Sequence, residues 1–111
     1  MFRLTDNRGF QITFDNGWTV SVQFGSGNYC NNRDLHALLH GKSAFPECEN
    51  AEIAAWPMAP EGARPCEHWH VFSEYKDDET SDVWGQEHVK GWVKPDEVLA
   101  FMNEIANKPK E

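Results

Sequence analysis

Apolar and polar residues alternate strictly over residues 10–24, on both sides of a turn-forming dipeptide, Asn16 and Gly17. The apolar positions are Phe10, Ile12, Phe14, Trp18, Val20, Val22 and Phe24. A period of two places all of them on one face of a strand pair. Asn-Gly is a strong signal for a tight hairpin, because a type I′ turn needs positive φ at both central positions. The pattern therefore predicts an N-terminal β-hairpin with one apolar face.

A helical pattern follows near the carboxyl end of the chain. Pro95 suits the first position of a helix, and Asp96 and Glu97 place carboxylates where the helix dipole favours them. The apolar residues after them are spaced by three and four, at Val98, Phe101, Met102 and Ile105. We therefore predict an amphipathic helix near residues 95–107 that packs on the sheet.

Two less regular segments follow the hairpin. Residues 32–40 predict a short helix, because leucines recur there at helical spacing and Gly41 follows at the position of a C-terminal cap. Residues 51–56 contain helix-favouring alanine and glutamate, yet they end on Trp56 directly before Pro57, which favours a strand. We predict a strand at 51–56.

Further strand candidates are residues 67–72, 83–85 and 87–93, and the last two form one strand if Gly85 is a bulge. The connections between strands are too short for parallel crossovers, so the sheet is predicted to be antiparallel. The predicted fold class is α+β, with a single domain over residues 1–111. Its antiparallel sheet has about four to five strands, starts with the N-terminal hairpin and is covered on one face by the C-terminal helix.

Charge narrows the classes of partner. The chain carries 10 Lys and Arg against 18 Asp and Glu, a net charge of −8. Residues 1–44 hold four basic and three acidic side chains, and residues 45–111 hold six and fifteen, so the second part carries −9. This balance opposes binding to nucleic acid or to an anionic membrane, since phosphate contacts need Lys and Arg. It permits a basic protein partner, although solubility alone also explains it.

The length of the apolar runs and the number of cysteines indicate the cellular compartment of the protein. No apolar run is long enough to span a bilayer, and the first residues lack the apolar centre of a signal peptide. Three cysteines, an odd number, fit a reducing compartment better than a disulfide framework. We therefore predict a cytoplasmic protein without a membrane segment. An exposed sheet edge could pair two copies, so a homo-oligomer stays open.

Cysteine and histidine residues are the best candidates for chemistry, because thiolate and imidazole are ligands that Zn²⁺ prefers. The candidate zinc ligands are Cys30, His36, Cys66, His68 and His70. In a strand, the last three would project from one face. The sequence has neither a Cys-x-x-Cys pair nor a His-Glu-x-x-His motif, so solvent-facing histidines and buried thiols explain the same residues. No other cofactor is predicted.

Aromatic residues in loops suggest two kinds of binding site. Tyrosine and tryptophan beside carboxylates are typical of protein-binding hot spots. Such a patch is predicted at Glu74, Tyr75, Asp77, Asp78, Glu79, Asp82 and Trp84. A small-ligand alternative places an anionic or nucleotide-like compound among Asn28, Tyr29 and Trp69. Trp84 could equally cap a sheet edge, whereas Trp18 and Trp92 fit strand alternation and are predicted in the core.

Catalysis has less support than binding. A cysteine with a histidine acts as nucleophile and base only when the two are close and a third group orients them. No motif in the sequence marks such an arrangement. An enzyme of this kind would carry one thiol with a lowered pKa.

Two stretches, Gly9–Asn32 and Val89–Met102, resemble small uncharacterised acidic proteins of bacteriophages and other mobile elements, over about a third of the chain. The resemblance carries no activity and no functional residue. It implies a context in which small acidic proteins bind a host protein or trap a small signalling molecule. We therefore expect a non-enzymatic module that binds or inhibits a host or partner protein. The alternative is a metal- or small-ligand-binding domain.

Overall fold

A computed structural model of the protein describes residues 1–5, 8–25, 27–33, 47–59, 61–63, 67–73 and 86–110. Its sheet has five antiparallel strands that neighbour one another in chain order. The strands are β1 (Phe2–Leu4), β2 (Gly9–Thr13), β3 (Thr19–Gln23), β4 (Ala51–Trp56) and β5 (Lys90–Val93). One helix, α1 (Pro95–Ala106), follows β5 and packs on the sheet. The predicted α+β architecture, its hairpin and its C-terminal helix are thereby confirmed.

The hairpin between β2 and β3 closes through a three-residue turn rather than a two-residue one. The Phe14 amide donates to the Trp18 carbonyl at 2.9 Å, and the Gly17 amide donates to the Phe14 carbonyl at 3.0 Å. Gly17 has a φ of 90°, whereas Asn16 does not have the positive φ that a type I′ turn requires. This geometry is that of a type I turn followed by a left-handed glycine. The Asn16 side chain in this turn bonds to the carboxyl end of α1.

The other strands agree with the predictions only in part. Residues 51–56 form β4 as predicted, and β1, which is too short to show a periodicity, adds an edge strand before the hairpin. The strand predicted at 67–72 is wrong: the segment is irregular, and the His70 amide donates to the Ala55 carbonyl of β4 at 2.8 Å. It is excluded from the start of β4 because β5 pairs there.

The strand predicted at 87–93 is shorter in the structure. It begins at Lys90 and follows a single 3-10 turn at Gln86–His88. The strand candidate at residues 83–85 lies outside the described residues. So does most of the short helix predicted near 32–40, of which only Asn32 and Arg33 are described, in a turn.

The main core lies between the sheet and one face of α1. Val20, Val22, Ile53 and Ala55 lie on the helix-facing side of β3 and β4, and all are buried. The helix contributes Val98, Phe101 and Ile105, as its spacing predicted. Trp18 is also buried in this core, as predicted, and the Lys108 ammonium lies 5.0 Å from the centre of its ring.

Asn16 joins the first predicted element to the last one. Its amide nitrogen donates to the Ile105 carbonyl at 2.8 Å and to the Lys108 carbonyl at 3.0 Å, and its oxygen accepts from the Trp18 amide at 3.0 Å. The last carbonyls of a helix have no partner within the helix. The hairpin turn therefore caps the carboxyl end of α1.

Candidate functional site

Trp92 lies at a bulge in the pairing of β4 with β5. Ala51 pairs with Val93 and Ile53 pairs with Lys90, so two residues of β5 oppose the single residue Glu52. Trp92 has a φ of 52°, a left-handed conformation that costs a non-glycine residue about 1–3 kcal/mol. Its side chain is 51% exposed. The prediction that Trp92 belongs to the core is therefore wrong, because the bulge breaks the alternation on which it depended.

Tyr29 holds this bulge in place through its backbone. The Trp92 amide donates to the Tyr29 carbonyl at 2.8 Å, and the Tyr29 amide donates to a carboxylate oxygen of Glu52 at 2.6 Å. Gly91 makes the approach possible, since a Cβ atom there would lie only 2.5 Å from the Tyr29 Cβ. The loop at Tyr29 thus bridges β4 and β5 where their register shifts.

The side chains above this bridge form an exposed cluster, which we call the aromatic patch: Tyr29, Arg33 and Trp92. The rings of Tyr29 and Trp92 stack with centroids 5.9 Å apart and planes inclined by 24°. The Arg33 guanidinium carbon lies 5.3 Å from the centre of the Tyr29 ring. Tyr29 is 43% exposed. The patch is therefore a preorganised surface of two aromatic rings and one cation.

The other predicted ligand-binding residues do not join Tyr29 in one pocket. The Asn28 side-chain oxygen accepts from the Gly25 amide at 3.0 Å, which commits it to the turn. Trp69 stacks on Trp56, with ring centroids 4.6 Å apart. Tyr29 is bonded to Glu52, and Trp56 follows Glu52 by four residues in β4. The pair Trp56 and Trp69 therefore lies about 13 Å farther along the strand than the Tyr29 loop.

The described zinc candidates lie in three different environments. Cys30 is buried, with its sulfur 3.6 Å from the Gly25 carbonyl oxygen. His68 is exposed beside Glu67, at 4.0 Å. The His70 ring packs edge-on against Phe101 in the core. Among residues that the structure describes, no group of three or more His, Cys, Asp or Glu side chains could hold a metal ion. His36 and Cys66 lie outside the described residues.

Burial raises the pKa of the Cys30 thiol from 9.0 to about 11, and the neighbouring Cys48 and Glu52 add to the rise, while the Asn32 backbone amide opposes it. A reactive cysteine or a zinc-bound thiolate needs the opposite shift. Neither the burial of Cys30 nor the direction of its pKa shift favours a nucleophile or a zinc-bound thiolate at this position. Cys48, its neighbour, is only partly buried.

The raised pKa of Cys30 makes stability depend on alkaline pH. The folded chain holds this proton more tightly than the unfolded chain, so the stabilisation is complete below about pH 9 and is lost as the pH rises past about 11. We expect the free energy of unfolding to fall by up to about 3 kcal/mol over that window. Urea titrations of the wild type and Cys30→Ser at several pH values measure it. Cys48→Ser should keep most of the decline, because burial is the largest cause of the shift, and an equal decline in Cys30→Ser would contradict the assignment.

The predicted protein-binding residues lie outside the described part of the chain. They are Glu74, Tyr75, Asp77, Asp78, Glu79, Asp82 and Trp84. The aromatic patch is a different surface, and its residues Trp92 and Arg33 were not predicted to bind anything. A glycine inside a strand pattern signals a bulge or a close backbone approach. Gly91 carried that signal one residue before Trp92.

Comparisons with protein-family models, with curated proteins and with solved structures find no match to this chain. Within the described residues, no helix has the length and apolar character needed to cross a bilayer. The functional argument therefore depends on the geometry of the molecule itself.

Proposed function

We propose that the protein is a non-enzymatic interaction module that binds a basic segment of a partner protein through the aromatic patch. The observation that carries the proposal is Trp92, half exposed and held in a left-handed conformation against Tyr29. Backbone strain of this kind persists only where the surroundings enforce it, and it is concentrated at functional positions. Tryptophan, tyrosine and arginine are also the residue types that dominate binding hot spots.

The aromatic patch is suited to binding because it is already ordered. The bulge, the Glu52 hydrogen bond and the close contact at Gly91 fix the position of Tyr29 before any partner arrives. A preordered surface loses less conformational entropy on association than a mobile one. Aromatic side chains then contribute a large contact area with few rotatable bonds.

Charge defines the chemistry of the partner. The whole chain carries −8, and the Glu52 carboxylate lies directly beside the patch. The Tyr29 ring already contacts both Arg33 and Trp92. Trp92 is the more exposed of the two aromatic residues, so its ring is the one more available to a partner. A lysine or arginine of a partner can stack on such a ring as a cation–π pair. The partner is therefore a protein segment rich in basic residues.

The acidic residues from Glu74 to Asp82 are proposed to attract the basic partner before it binds. A negative field accelerates the approach of a basic partner without adding much to the final affinity. The resemblance to small phage proteins fits a host protein as the partner and inhibition as the outcome of binding. On that basis we place the interaction in the cytoplasm.

The test compares Trp92→Ala with Leu99→Ala. Leu99 is 60% exposed on α1, so it is a matched loss of exposed apolar surface away from the patch. The partner is captured from lysate at low salt and purified, and its affinity is then measured by calorimetry. We expect Trp92→Ala to weaken binding about 30-fold, equivalent to about 2 kcal/mol, and Leu99→Ala to leave it unchanged.

Salt provides an independent check on the charge argument. Raising the ionic strength should slow association with the partner while changing dissociation little, because exposed charges are screened. Equal affinities for Trp92→Ala and Leu99→Ala would exclude the patch as the hot spot. An association rate that does not respond to salt would exclude a basic partner.

A further inference from the structure

A second candidate site lies at the other end of β4, on the face of the sheet that no described helix covers. There the strands and the loop after β4 line an open cavity of about 560 Å³. This volume falls within the range of small-molecule pockets. Thr13 of β2, Thr19 of β3 and Trp56 of β4 form one row across the sheet, since each is paired with the next. Arg3 of β1 reaches the same cavity from the edge.

One wall of this cavity is aromatic. Trp56 and Trp69 stack on each other with centroids 4.6 Å apart and planes inclined by 26°, and both line the cavity. The 4.6 Å separation leaves no room for a ligand between the rings. An indole ring in a pocket wall presents a flat apolar surface on which a planar ring can stack. A ligand that enters is therefore expected to carry a planar ring.

The lining residues from β1, β2 and β3 include two threonines and one positively charged side chain. Arg3 lines the cavity, and no described side chain pairs with its guanidinium. The hydroxyls of Thr13 and Thr19 lie 2.8 Å apart, so one donates to the other and the second hydrogen remains available to a ligand. The described lining contains His68 but no Asp or Glu, in a chain with 18 acidic residues. The Glu67 carboxylate, which is not part of the lining, lies 4.0 Å from the His68 ring.

We infer that this cavity binds a small compound in which a planar aromatic ring is joined to a phosphate or carboxylate group. The ring stacks on the tryptophan wall, and the anion is held by the Arg3 guanidinium, which can donate two parallel hydrogen bonds to either kind of oxyanion. The threonine hydroxyl supplies a further donor. The site uses none of the residues of the aromatic patch, so it does not depend on the proposed protein interaction.

Calorimetric titrations test the inference with four probes: adenosine monophosphate, indole-3-acetate, adenosine and ribose 5-phosphate. The first two carry both an aromatic ring and an anionic group. Adenosine lacks the anionic group, and ribose 5-phosphate lacks the aromatic ring. We expect one-to-one binding of at least one of the first two, and binding at least about tenfold weaker for both adenosine and ribose 5-phosphate. A preference for adenosine monophosphate identifies a phosphate ligand, and a preference for indole-3-acetate identifies a carboxylate ligand.

Variants connect the binding to the cavity. Arg3→Gln should weaken it by about tenfold or more, and Arg3→Lys should weaken it less, because lysine keeps the charge and loses the bidentate geometry. Arg8→Gln, which removes an exposed arginine outside the cavity lining, should have no effect. The inference is overturned if no probe binds below about 1 mM. It is also overturned if Arg3→Gln binds as tightly as the wild type.

Discussion

Replacing Phe101 with alanine is expected to lower the free energy of unfolding by about 3–5 kcal/mol. Phe101 is 8% exposed on the inner face of α1, and its ring centre lies 5.3 Å from that of Phe72 and 5.2 Å from that of His70. The substitution removes the contact that joins the helix to the irregular segment at residues 67–73. Such a loss is a large fraction of the stability of an ordinary domain, which is about 5–15 kcal/mol.

Urea denaturation followed by tryptophan fluorescence measures this loss. Leu99→Ala is the matched control on the same helix, and because Leu99 is 60% exposed we expect it to cost less than about 1 kcal/mol. A loss below about 1 kcal/mol for Phe101→Ala would mean that α1 does not pack as described.

The substitution Asn16→Asp is expected to cost about 2–4 kcal/mol. Aspartate keeps the oxygen that accepts from the Trp18 amide, but it replaces the amide nitrogen that donates to the Ile105 and Lys108 carbonyls. Both carbonyls lose the Asn16 amide, and only the Ile105 carbonyl keeps a second described donor, the Lys108 amide at 3.2 Å. A carboxylate then lies against the negative end of the helix dipole, so loss of a cap and charge repulsion act together.

Asn107→Asp provides the comparison for Asn16→Asp. The Asn107 amide nitrogen donates to the Asn103 carbonyl at 2.7 Å, at the same end of the helix but in an exposed position. Water can replace that donor, so we expect a cost of about 1 kcal/mol or less. Thermal unfolding of both variants separates the two cases. Equal costs would show that the contact between turn and helix adds nothing beyond the helix-end charge.

Regions with a clear local periodicity were predicted correctly. The alternation over residues 10–24 and the apolar spacing from Val98 to Ile105 both reflect a requirement that each element bury one face, and both elements are present. The proline after Trp56 correctly indicated a strand at 51–56. The turn between β2 and β3 was predicted at the right place but with the wrong geometry, since its loop length follows from the strand register.

The candidate site was predicted only in part. Tyr29 was placed in a loop and predicted to bind a small ligand, but Trp92, which stacks on it, was assigned to the core because it fitted a strand alternation. The bulge that turns Trp92 outward exists because the Tyr29 backbone bonds across to it. Similarly, residues 67–72 have a strand-like sequence, but β5 pairs with β4 from Ala51 to Ile53. The segment joins the rest of β4 through the hydrogen bond from the His70 amide to the Ala55 carbonyl and forms no strand.

By itself, the amino-acid sequence determined the hairpin, the apolar face of the C-terminal helix, the antiparallel pairing and the negative charge of the protein, because these depend on neighbouring residues and on composition. The tertiary structure alone decided which aromatic side chains reach solvent and which groups share a site. Tyr29 contacts Trp92 across more than sixty residues, and Asn16 reaches a helix end 89 residues away. Contacts at such separations have no local pattern, since they follow from the packing of elements that are distant in the chain.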